Sequence, residues 1–102
     1  MTFKRRKKIY RKPTRNYDDT RYKEWRKAVR KRDGGKCQWP NCTSRGSHCH
    51  HIYRWADNPT VRFVESNGIY LCKSHHDMVS KKEEMYASMF MRIVLNKRKL
   101  DE

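Results

Sequence analysis

A chain of 102 residues has room for one domain, and with 36% charged against 35% hydrophobic residues it buries too little apolar surface to order all of itself. The net charge of +15 selects polyanions as partners, nucleic acid first, and no apolar run approaches the roughly 20 residues of a membrane-spanning helix. Met1 to Arg5 lead into more charge rather than a hydrophobic stretch, so no signal peptide is visible, and four cysteines crowded by five histidines point to metal binding in a reducing, cytoplasmic setting rather than to secreted disulfides.

Taken in chain order, residues 1 to 17 hold eight Lys or Arg and no acid, which reads as a flexible basic arm ending near residue 19. Asp18, Asp19 and Thr20 offer N-cap oxygens to a helix in which Tyr22, Trp25, Ala28 and Val29 form a core stripe and Asp33-Gly34-Gly35 stops the run. Its Lys and Arg side chains are left to face solvent or phosphate. Lys36 to Gly46 is turn-forming. His48–Tyr53 and Gly68–Cys72 read as two short strands, and the fourteen residues from Arg54 to Asn67 as a loop pinned by Trp55, Val61 and Phe63. Ser80 and Glu83 fit a capping box that opens a helix bearing Met85, Met89, Phe90, Ile93 and Val94. The expected organisation is an arm over 1–19, one folded domain over 20–96 and a charged tail over 97–102.

Cys37 and Cys42 flank a four-residue loop, and Cys72-x2-His75 supplies a second close pair thirty residues on. Two such pairs suit a tetrahedral structural Zn²⁺ site, and a core this small needs the stabilisation a metal supplies. Cys37, Cys42, Cys72 and His75 are the expected ligands, with Cys49 or His48 as alternatives for the fourth.

His50 and His51 stand together near the end of the first strand, Asn67 precedes the second, and Asn67 and His76 form Asn-x8-His. This pattern resembles the HNH endonuclease family, whose core is a two-stranded hairpin and a helix around one metal ion (the ββα-metal, or His-Me finger, fold). The likeness covers roughly residues 22 to 80 and takes in the paired zinc ligands that many phage and bacterial members carry. Trp25, Arg32-Asp33, Cys49-His50-His51-Ile52 and Asn67-Gly68-Ile69-Tyr70-Leu71-Cys72 also resemble phage members, several of them encoded beside packaging terminases.

The resemblance implies a small α+β domain of this fold, with a zinc knuckle and flanking N- and C-terminal helices. It implies hydrolysis of DNA phosphodiester bonds with one Mg²⁺ or Mn²⁺, inside a bacterial or phage-infected cell. His51 is then the general base, because a neutral imidazole accepts water's proton near pH 7. His50 and His76 are the metal ligands, and Asn67 orients His51 without titrating. Two departures stand out: Ser80 occupies the place of a further histidine, and Cys72-x2-His75-His76 replaces Cys-x2-Cys-His. A non-catalytic, zinc-stabilised DNA-binding module or packaging accessory is the alternative, and turnover of DNA separates the two.

Overall fold

The computed structural model describes residues 16–101, with side chains through Lys97. Most of the expected arm, residues 1 to 15, lies outside the described residues. Helix α1 spans Thr20–Arg32 and opens on Asp19, whose carboxylate accepts the Arg21 N–H at 2.8 Å. Tyr22, Trp25 and Val29 are buried along one stripe, whereas Ala28 falls on the exposed side. The helix ends at Asp33, and Gly34 and Gly35 turn the chain away at φ 64° and 72°, backbone that a side chain would strain.

Strands β1 (His48–His51) and β2 (Gly68–Leu71) pair antiparallel, with His48 opposite Leu71 and His51 opposite Gly68. Both are shorter than the sequence predicts. The Asn67 side chain ends the pairing: its Oδ1 accepts the Tyr53 N–H at 2.9 Å and its Nδ2 donates to the Tyr53 carbonyl at 3.2 Å, in place of a ladder partner. Cys72 leaves the sheet to begin helix α2, Lys73–Val79. The intervening loop contains two short 3-10 turns, Pro59–Val61 and Glu65–Asn67, held down by buried Trp55 and by the Trp25 indole donating to the Val64 carbonyl at 2.9 Å.

Alternation along the strands divides the interior in two. Ile69 and Leu71 join Ile52, Val79, Phe90 and Val94 on one side. Cys49 and Tyr70 pack with Tyr22, Trp25, Val29 and Trp55 on the other. Gly68 lets α1 approach the sheet: a Cβ there would lie 2.5 Å from Val29 Cγ2 and 2.6 Å from Trp25 Cζ2.

The expected capping box does not form. The Ser80 N–H closes α2 by donating to the His76 carbonyl, so it is not offered to Glu83, which instead accepts the Lys81 N–H at 3.2 Å. The last helix, α3, runs from Glu83 to Asp101, so the expected tail is helical through Asp101. Phe90, Val94 and Ala87 are its buried contribution, while Met85 is 73% exposed.

A buried charge network ties these parts together. The Arg32 guanidinium donates to both Asp33 oxygens, to the Glu65 carboxylate and carbonyl, and to the Gly68 carbonyl at 2.6 Å. Asp33 in turn accepts the Tyr70 N–H at 3.0 Å and lies 3.5 Å from Lys97 Nζ. Every charge in the buried pair is thus met by more than one hydrogen bond, the condition under which such a pair does not destabilise a core. The chain is a small α+β domain with a two-stranded sheet and, among the described residues, three α-helices. No helix among them is long and apolar enough to cross a membrane.

Candidate metal cluster and histidine pocket

Cys37 and Cys42 project from the turn after α1, and Cys72 and His75 from the start of α2. Their ligand atoms all lie within 4.8 Å of one another. His75 Nδ1 is 3.3 Å from Cys72 Sγ and 3.6 Å from Cys37 Sγ. Ligand bonds of about 2.3 Å to sulfur and 2.0–2.1 Å to nitrogen, at tetrahedral angles, set such atoms about 3.6 Å apart. The four residues therefore fit a tetrahedral ion, and three thiols with one imidazole are the donor set of a structural zinc. Burial pushes the Cys37 thiol up to about 11, while the Ser44 N–H holds Cys42 below the ordinary thiol value. An ion binding there displaces thiol protons.

The two alternative ligands lie elsewhere. Cys49 packs beside α1 with its thiol 3.5 Å from the Arg26 carbonyl, and burial pushes it up to about 11. His48 stacks on His76, ring centroids 4.4 Å apart, with its Nδ1 2.8 Å from Ser47 Oγ.

His50, His51 and His76 line a second site, a pocket of about 240 Å³ that also includes Arg54, Ser80 and Glu83. His50 and His76 meet edge to face with centroids 5.8 Å apart, and Phe90 backs His50 at 5.5 Å. His76 Nδ1 is buried and has no hydrogen-bond partner among the described residues. Burial, then the neighbouring His48, lowers the His76 pKa and favours the neutral ring, the form that binds a metal. Neutral imidazole is a metal ligand, and these two rings line one space.

His51 lies flat on Trp25, centroids 4.0 Å apart and planes at 11°. Its Nε2 is 2.9 Å from the Arg62 carbonyl oxygen, which can only accept. Nε2 therefore carries the proton, and the lone pair of the neutral ring is on Nδ1. Asn67, 2% exposed, clamps Tyr53 at its N–H and its carbonyl and donates to the Val61 carbonyl at 3.2 Å, fixing the chain just beyond His51.

Adjacent residues take different surroundings. His50 packs toward Phe90 and His51 onto Trp25, on opposite sides of β1, yet at the strand's end both reach the pocket. His75 and His76 lie in the cluster and the pocket respectively, from consecutive positions of α2. The sequence does not signal two further contributors. Trp39, between Cys37 and Cys42, stacks on His75 with centroids 4.7 Å apart and planes at 6°. Trp25, which its spacing marks only as core, is the platform under His51. A second shell of this kind orients ligand rings, but it depends on contacts between residues far apart in the chain.

Among known proteins, no family model, curated protein or solved structure matches this chain.

Proposed function

We propose that the chain is a metal-dependent endonuclease of the HNH type that hydrolyses DNA phosphodiester bonds, with its Cys37, Cys42, Cys72 and His75 cluster holding a structural Zn²⁺. The observation that carries this reading is the meeting of His50, His51 and His76 in one pocket, with His51 held by Trp25 and the Arg62 carbonyl. His51 Nδ1 takes a proton from the attacking water as its oxygen bonds to phosphorus. The bond from phosphorus to the departing oxygen then breaks, and that oxygen leaves with a proton from solvent. The Arg62 carbonyl stabilises the imidazolium that forms on His51. His50 and His76 would hold a Mg²⁺ or Mn²⁺, whose charge offsets that of the phosphate and the departing oxygen. Asn67 supports His51 indirectly, by fixing the backbone at Tyr53.

The test is plasmid digestion with Mg²⁺, Mn²⁺ or EDTA, by the parent protein and by His51→Ala. The parent nicks or linearises DNA only with metal, and His51→Ala cuts about 10²–10⁴-fold more slowly. His50→Ala and His76→Ala regain part of their rate at high Mn²⁺, and His51→Ala does not. Cleavage by His51→Ala at the parent rate would remove the proposed base, and no cleavage by folded, metal-loaded parent protein would leave a DNA-binding module.

A further inference from the structure

The positive charge of the described residues is not spread evenly. Lys23, Arg26, Lys27, Arg30 and Lys31 line one cleft of about 890 Å³ along α1. A second cleft, of about 620 Å³, shares Arg30, Gly34, Gly35 and Tyr70 with it and adds Lys36 and Arg45. Neither is lined by an acid, whereas the cleft beside Phe63 includes Glu24 and Glu65, and the histidine pocket includes Glu83. The two cationic clefts form one trough.

Such an arrangement works against the fold. Lys23 and Lys27, Arg26 and Arg30, and Lys27 and Lys31 are like charges four residues apart on a helix. Lys36 and Arg45 face each other across an isolated antiparallel bridge. A bound polyanion relieves all of these repulsions at once. The trough adjoins the histidine pocket at Cys49, which lines both. Lys23 to Lys31 covers about 12 Å of helix, the rise of three to four nucleotides in one strand of B-form DNA.

We propose that this acid-free trough is the track for one phosphodiester strand of duplex DNA, leading it past Cys49 to the histidine pocket. The choice of DNA as the polyanion rests on the nuclease reading. The trough itself rests on its charge and its place beside the pocket.

The experiment uses the full chain, metal-loaded at the cysteine cluster and free of Mg²⁺ and Mn²⁺, with a fluorescein-labelled DNA duplex. Anisotropy gives Kd over a series of salt concentrations. Lys27→Gln/Lys31→Gln lowers the slope of log K against log salt by about 1.8, at about 0.9 for each phosphate contact. Lys82→Gln/Arg92→Gln removes the same charge elsewhere and keeps the parent slope. Thermal melts confirm that each variant folds, and Lys23→Gln/Arg30→Gln serves as a second trough pair. Equal slope losses in the trough and control pairs would reduce binding to diffuse attraction and overturn the track. An unchanged slope in both trough pairs would do the same, and so would displacement of DNA by poly-glutamate as readily as by unlabelled duplex. Cleavage is not read here. A protein that binds along the trough yet never cuts keeps the track and loses the nuclease reading. One that cuts while its trough variants bind with the parent slope does the reverse.

Discussion

The cysteine cluster and the histidine pocket share helix α2 but are built to opposite plans. In the cluster, four donors converge from two segments, a full set for a tetrahedral ion. In the pocket, two imidazoles with centroids 5.8 Å apart face a space of about 240 Å³. Saturated coordination is the mark of a structural site, and an open position is the mark of a catalytic one. Their positions differ as well. The cluster joins the turn after α1 to the start of α2, two segments that meet at the edge of the core containing Cys37 and Cys72. The pocket lies where β1 ends, and its rings are backed by residues already buried: Trp25 behind His51 and Phe90 behind His50. Removing metal should therefore affect the two regions unequally.

The largest expected effect breaks the cluster. A structural Zn²⁺ contributes about 10–16 kcal/mol of apparent binding energy, comparable to or larger than the roughly 5–15 kcal/mol that holds a typical domain folded. Chelation, or Cys72→Ser, should abolish the cooperative melt and much of the far-UV circular dichroism. His50→Ala and His76→Ala should keep both signals and about one zinc per chain by elemental analysis. A chelated protein that melts as before would make the cluster dispensable and erase the contrast.

How far the two regions can be read from the sequence differs for a related reason. The cluster is legible because its ligands come as close pairs whose local geometry is fixed by a short loop and a helix start. The pocket is legible as three histidines, His50, His51 and His76, while Asn67, read with them in the sequence, lies outside its lining, and the sequence does not give the pocket's supports. The stack of Trp25 under His51 joins residues on α1 and β1, and the carbonyl that fixes the His51 tautomer belongs to Arg62 in an irregular loop. No periodicity encodes such contacts. The Ser80–Glu83 signature shows the converse: the local pattern is right, but the Ser80 N–H is already committed to α2. Arg32-Asp33 is visible as text, yet only packing shows it to be a buried clasp on β2 and Glu65.

A middle-sized effect should fall on the pocket side alone. Gly68→Ala forces a methyl group against Val29 and Trp25, at contacts of 2.5 and 2.6 Å that real Cβ atoms do not make. Overpacking of this kind costs about 1–3 kcal/mol. Trp25 has to yield, and His51 lies on it. The expected result is a lower Tm with the zinc content unchanged, together with a shifted His51 ring signal by NMR. Loss of zinc from Gly68→Ala would mean that the two regions are mechanically coupled, and an unchanged Tm would mean that α1 does not press on the sheet.

The smallest effect concerns Cys49, the one cysteine outside the cluster among the described residues. Its thiol is 3.5 Å from the Arg26 carbonyl, an acceptor that a serine hydroxyl can also use, so Cys49→Ser should keep about one zinc per chain and nearly the parent Tm. Burial raises its pKa from 9.0 to about 11, so the folded protein keeps this proton at a pH where the unfolded chain has lost it. The sign follows: its contribution to stability is complete below about pH 9 and is lost as the pH rises through about 11. The parent should therefore lose more stability than Cys49→Ser across that window. Iodoacetamide supplies the direct measurement, since only the thiolate reacts. At pH 8 the metal-loaded parent should label slowly, and between pH 9 and 11 the rate should climb toward one label per chain, with the label on Cys49. Fast labelling of Cys49 at pH 8 would show that it is not buried beside α1. Loss of zinc in Cys49→Ser would make it a ligand after all and displace His75 from the cluster.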